Sequence, residues 1–210
     1  MTDPPGRAAR ERLHEDIQYL NLAEMRAFCQ AHDLPLYIHI ERPDGSLRKT
    51  GDRDRKDIVL RRILEFALDG RRSGPTIYRR SVVSEAPLPG RLTSRTRVHH
   101  GQYEKKNPRF VDKMKQLTDG AFRTGMIARL TLRGFWTAGC APTLAQFARG
   151  WLRATEAHTR PRPEGAYLVD LWRGEAGPNW KSVREQKAAR ALAVLNRQVA
   201  ETGRRGRNVT

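Results

Sequence analysis

A chain of 210 residues is enough for one ordinary domain or two small ones, and a hydrophobic fraction of 38% favours small cores joined by polar linkers over one large core. The formal net charge of +17 and a pI near 10.9 belong to a protein that attracts polyanions; Arg outnumbers Lys about four to one, a bias that genome composition can produce without creating the excess of positive charge. No apolar run approaches the roughly 20 residues of a bilayer span, and the two cysteines, Cys29 and Cys140, lie far apart in apolar contexts, which excludes a disulfide framework and a CxxC metal site.

Met1 to Asp16 is polar and of mixed charge, with no apolar core of the kind a signal peptide needs. It reads as the frayed start of an early helix or a short disordered arm, and the chain is expected in the cytoplasm, nucleoid-associated, or in the nucleus of a eukaryote. Asn21 followed three residues later by Glu24 is a capping box, opening a helix whose apolar stripe is Leu22, Met25, Phe28 and Cys29. That helix should stop near His32 and Asp33, because the residue before Pro35 is driven out of helical geometry. Leu36 to Ile40, the turn Pro43-Asp44-Gly45 and Ser46 to Thr50 read as a hairpin. A second helix is predicted over about 54–68, with Val59, Leu60, Ile63, Leu64 and Ala67 on one face, Arg53, Arg55, Lys56, Arg61 and Arg62 around it, and Gly70 as the stop.

The run Leu22, Met25, Phe28-Cys29, Leu34-Pro35 and then Lys56-x-x-Val59-Leu60-x-Arg62-Ile63 resembles the SAP motif of scaffold-attachment and chromatin-associated proteins. The resemblance covers about a quarter of the chain. It implies a pair of helices whose second member contacts DNA phosphates through Lys56 and Arg62. SAP helices are ordinarily joined by a few residues, whereas a hairpin stands between these two, and Asp54 occupies a position where the family commonly has glycine.

The stretch 71–91, rich in Pro, Ser and Arg, is expected to be a basic linker, with Ile77-Tyr78 and Val82-Val83 pinned against the first module. From 92 to 158 a second module is predicted. Asn107-Pro108 caps one helix bearing Phe110, Val111, Met114 and Leu117, which ends at Asp119-Gly120. Thr124 is expected to cap another bearing Met126, Ile127 and Leu130. Thr143 caps a third in which Leu144, Phe147, Ala148, Trp151 and Leu152 form a core stripe. The pattern Leu92-Thr93-x-x-Thr96, Tyr103, Asn107, Phe110, Gly120-x-Phe122 and Gly139-x-x-x-Thr143-Leu144 through Trp151 is similar to an uncharacterised small helical domain. That domain accompanies SAP-like modules in some bacterial and fungal proteins and brings no established activity.

A further linker is predicted over 159–180, in which Ala166 to Trp172 can dock as a short strand or a turn of helix. Ser182 with Glu185 suggests a capping box for a last helix over 181–203, whose apolar face is Ala188, Ala191, Leu192, Leu195 and Val199. Lys181, Arg184, Lys187, Arg190 and Arg197 decorate its other face, a solvated face by default that can also meet nucleic acid, a membrane surface or a protein partner. The basic tail, 204–210, is expected to be disordered.

Chemistry is thinly signalled. His99 and His100 with Tyr103 are the nearest approach to a catalytic cluster, but a metal site wants a third and fourth ligand at suitable spacing. Neither a GxSxG elbow, nor a phosphate-binding GxxxxGK[ST] loop, nor a GxGxxG fingerprint occurs. Glu104-Lys105-Lys106 and the Asp170 to Glu175 segment are nuclease candidates by residue type alone. The expectation is therefore a mainly α protein: a SAP-like helix-hairpin-helix-type module over 14–70, a small helical domain and a basic C-terminal helix. It would capture double-stranded DNA electrostatically, without cofactor or metal, through Lys56, Arg62, Arg53, Arg55 and Arg61, with Lys49 and His39 of the hairpin as additions. A metal-dependent nuclease and an RNA-binding or protein-interaction adaptor are the alternatives.

Overall fold

The computed structural model describes residues 7–158 and 160–207, with side chains over 8–158 and 160–202. It is mainly α: among the described residues eight α-helices accompany one small three-stranded sheet. The chain divides into two units that are discontinuous in sequence, one formed by 1–36, 53–75 and 160–210, the other by 37–52 and 76–159. Each has its own apolar core.

In the first unit, α1 (Arg7–Asp16) leads through a single 3₁₀ turn to α2 (Leu22–Ala31). The Asn21 side chain accepts from the Glu24 backbone N–H while the Glu24 carboxylate accepts from the Asn21 N–H, so both orphan donors are satisfied as the sequence predicted. The helix ends at Ala31, with Asp33 in the left-handed region (φ 53°) ahead of Leu34-Pro35. α3 (Lys56–Asp69) buries Val59, Leu60, Ile63, Leu64 and Ala67 and stops at Gly70 (φ 67°), where a side chain would be strained. α8 (Trp180–Arg207) then lays Ala188, Ala191 and Leu195 against α3 and α1, completing a core with Leu13, Ile17, Met25 and Phe28. The helix expected over 181–203 begins at Trp180, so Ser182, expected as its cap, lies inside the first turn instead. The helix also continues past Gly203 through Arg207, so the backbone of 204–207 is helical, while 208–210 and the early arm 1–6 lie outside the described residues.

The second unit takes the hairpin. β1 (Tyr37–Glu41) and β2 (Leu47–Arg53) are joined by the expected Asp44-Gly45 turn, with the Asp44 carboxylate accepting from both the N–H and the hydroxyl of Ser46. β1 also pairs in parallel with β3 (Ile77–Tyr78), in the register His39 to Ile77 and Ile40 to Tyr78. Ile38 and Ile40 alternate into the core with Tyr78, Val82, Leu88 and Val98. The expected linker over 71–91 thus carries Tyr78, Val82 and Leu88 as core members of the second unit, not the first, and the parallel pairing of β3 that anchors them is invisible to local sequence.

α4 (Pro108–Gln116), α5 (Met126–Thr137) and α6 (Leu144–Glu156) supply the rest of that core. The caps at Asn107 and Thr143 form as predicted, the latter as a capping box with Gln146. Thr124 does not cap α5; Gly125 occupies that position and makes no side-chain bond. Phe110, Phe122, Phe147 and Trp151 pack at ring separations of 5.2–6.4 Å, so the aromatic stripe is core. α7 (Ala166–Trp172), in the first unit, realises the short apolar run at 166–172 as helix.

Candidate nucleic-acid interface

The seven residues expected to contact nucleic acid fall into two units. Arg53, Arg55, Lys56, Arg61 and Arg62 belong to the first; His39 and Lys49 belong to the second with the hairpin. Arg62 is 4% exposed, and its Nη1 donates to Asp54 Oδ2 at 2.5 Å and to the Pro35 carbonyl at 3.0 Å. A guanidinium so enclosed ties the start of α3 to the end of the α2 connection and presents no face to a phosphate. Lys56 is half-buried and donates to the Gln18 carbonyl at 2.5 Å. Burial pulls its pKa below the ordinary lysine value, while the Glu164 and Glu24 carboxylates oppose that shift.

Arg55 reaches Glu164 at 2.7 Å and Asp57 at 3.5 Å. Arg53 is half-buried. Arg61 alone of the five is exposed, and it lines a cleft of about 500 Å³ that also carries Arg10, Asp57, Glu65, Asp69 and Glu164. Four carboxylates around two guanidiniums make a poor seat for phosphate. On the hairpin, Lys49 Nζ sits 3.9 Å from the centre of the Tyr37 ring, and His39 Nδ1 lies 3.2 Å from the Tyr37 carbonyl.

The cations of α8 are likewise engaged within the first unit. Arg184 donates to both oxygens of Glu24 at 3.0 and 2.9 Å, and Arg190 makes a bidentate contact with the buried Asp16. Lys187 donates to the Tyr19 hydroxyl at 2.8 Å, and that hydroxyl donates to Asp170, which is 3% exposed and also accepts from Trp180 Nε1. The expected open basic face of this helix is therefore largely a seam holding it to α1 and α2, with Arg190 paired yet still exposed and Lys181 and Arg197 exposed beside it.

The second unit differs in balance, with 18 Lys and Arg against 8 Asp and Glu. Few of its cations meet a carboxylate: Arg48 and Glu85 stand 4.0 Å apart, Arg79 and Glu41 3.6 Å, and Arg133 lies 3.3 Å from Asp52. Arg42, Arg48 and Lys49 are exposed on the hairpin. Lys105, Lys106 and Arg129 are exposed around a cleft between the 103–106 loop and the start of α5, whose lining includes no carboxylate. Sequence reasoning passed over Lys105-Lys106 as an electrostatic site and did not single out Arg129, because nothing local shows that the loop and the helix start meet.

His99 and His100 serve structure. His99 Nδ1 lies 3.1 Å from Gln102 Oε1, and the His100 ring packs between Tyr78 and Trp136 with Nε2 3.2 Å from Asp52. Among the described residues no group of three or more His, Cys, Asp or Glu is arranged to hold a metal ion, and no helix is long and apolar enough to cross a membrane. No family model, curated protein or solved structure matches the chain.

Proposed function

We propose that the chain is a DNA-binding protein that captures the phosphate backbone of a duplex with little reading of base edges, in the cytoplasm or, in a eukaryote, the nucleus. One observation carries the proposal: the positive excess of the second unit sits on exposed side chains that its own carboxylates leave largely unanswered. Backbone capture needs cations that a phosphate can reach, since affinity arises from the counterions they displace. In this reading the α2–α3 pair is a SAP-like element in connectivity, its Lys56 and Arg62 stabilise the fold, and the contacts move to the hairpin cations Arg42, Arg48 and Lys49 and to the loop cations Lys105 and Lys106.

Titration of the full chain against duplex DNA, single-stranded DNA and duplex RNA over a range of salt, with and without magnesium, tests it. Duplex DNA should bind best, without cleavage. The triple change Arg42→Ala, Arg48→Ala and Lys49→Ala should lower the salt slope by up to about 2.7, at roughly 0.9 per lost contact. Weak binding to all three polymers at physiological salt would remove the proposal, and magnesium-dependent cleavage would replace it with a nuclease.

A second reading has its own observation. α7 exposes Tyr167, Leu168, Leu171 and Trp172, each about half accessible, which suits a protein-interaction adaptor. Retention of a protein partner by a chain that ignores nucleic acid would favour it.

A further inference from the structure

The cleft at the start of α5 combines features that electrostatic capture alone does not require. Its volume is about 320 Å³, at the small end of ligand cavities. Its lining is Tyr103, Lys105, Lys106, Thr124, Gly125 and Arg129, three cations and no carboxylate. Glu104, the nearest acid in sequence, is exposed and forms no part of the wall. Like charges gathered in one recess repel unless an anion answers them.

Two further observations point the same way. The Tyr103 hydroxyl is buried without a hydrogen-bond partner, although its ring packs edge-on against Phe110 and Phe147. A buried hydroxyl left unpaired costs free energy, and the residue that carries it belongs to the lining of a cationic recess. Burial raises its pKa, against the opposing pull of Arg129, so it keeps its proton at neutral pH and can donate. In addition, α5 begins at Met126 behind Gly125, which supplies no side-chain cap, and Thr124, which the sequence suggested would fill this role, is an exposed residue of the cleft lining instead. Backbone N–H groups at the start of this 12-residue helix add positive potential to the site.

We propose that this cleft is a seat for one phosphate group, held by Lys105, Lys106 and Arg129 with the Tyr103 and Thr124 hydroxyls as donors; a nucleic-acid strand as its source rests on the reading above. A phosphate offers acceptor oxygens on every side, which suits cations converging from a loop and a helix. The seat is separate from the hairpin cations and fixes one phosphate in place where they act at longer range.

Inorganic phosphate is the first probe, titrated into the full chain at constant ionic strength and followed by calorimetry and by ³¹P line broadening. Saturable binding at one site is expected. Lys105→Ala with Lys106→Ala, and separately Arg129→Gln, should each weaken it about tenfold or more, as the loss of a charge-assisted contact implies. Tyr103→Phe keeps the ring packing and should weaken it severalfold. Arg149→Gln, an exposed cation outside the cleft, should change nothing. The second probe is a short duplex with a 5′-phosphate, compared with its 5′-hydroxyl counterpart. Preference for the phosphorylated end that disappears in the double lysine variant identifies a strand terminus as the source; equal affinity, with inorganic phosphate competing against both, identifies an internal phosphate. Phosphate binding in a chain that ignores DNA would keep the seat and remove the DNA reading. DNA binding with phosphate affinity absent, or indifferent to all three cleft variants, would overturn the seat and leave the DNA reading standing.

Discussion

Replacing Arg62 by alanine separates a structural guanidinium from a phosphate-binding one. The side chains of Arg62 and Asp54 are 5% and 1% exposed, and Asp54 Oδ1 has no partner of its own, so the carboxylate relies on Arg62 for its counter-charge. Removing the guanidinium leaves a buried, unpaired carboxylate, which typically costs about 3–5 kcal/mol. At about 4 °C per kcal/mol for a unit of roughly a hundred residues, Tm should fall by roughly 12–20 °C. The double change Arg62→Met with Asp54→Asn removes both charges at similar volume and should recover most of the loss, because a buried pair contributes little net stability once its desolvation is counted. Urea unfolding by circular dichroism, with hydrogen exchange at the α3 amides, assigns the loss to the first unit. In parallel the salt slope for DNA should be the same as in the wild type. An unchanged unfolding midpoint, together with a slope lowered by about one, would refute the structural role and restore Arg62 as a phosphate contact of SAP type.

Gly101 has φ 97°, and a Cβ there would stand 2.7 Å from the Ser84 carbonyl oxygen, beside the bridge between Val83 and His100. Gly101→Ala should therefore cost about 1–3 kcal/mol in thermal unfolding. Gly45→Ala, at φ 79° in open space, is the control, and equal losses for the two would mean that the close approach is not what matters. Burial pushes the Cys29 thiol up to about 11, although the Arg62 charge opposes the shift. Because the folded value lies above the ordinary one of 9.0, the native state holds its proton more tightly; the stability this gives is complete below pH 9 and is lost as pH rises from 9 to 11. At pH 8 the half-buried Cys140 should react with a thiol reagent well before the fully buried Cys29, and equal rates in the native protein would contradict the burial described.

What the sequence disclosed is what short-range physics decides. Asn21 with Glu24, Asn107-Pro108, Thr143 and the Asp44-Gly45 turn each satisfy backbone groups within a few residues, so their types and spacing suffice to place them. Thr124 and Ser182 are the failures of that logic, since a polar side chain near a helix start does not compel the helix to begin beside it. The assignment of the hairpin to the second unit was out of reach for another reason. It depends on β1 pairing in parallel with β3 after the whole of α3 has intervened, a non-local contact that no alternation of residues announces. The burial of Arg62 is similar: on the helix it flanks the apolar stripe like any surface arginine, and only the placement of Asp54 and the Pro35 carbonyl draws it inward.

The same distinction governs how far a net charge of +17 can be read as function. The first unit carries dense basic clusters in its sequence, yet its acids are placed where those cations fall: Glu24 for Arg184, Asp16 for Arg190, Glu164 for Arg55 and Asp54 for Arg62. A phosphate approaching any of these guanidiniums must displace a carboxylate already in contact, and the exchange releases fewer counterions than capture by a free cation. In the second unit Lys105, Lys106 and Arg129 line a cleft that contains no carboxylate to displace. A polyanion should therefore discriminate between the two units more strongly than their total charges suggest, and the basic cluster most conspicuous in the sequence should be the less productive of the two.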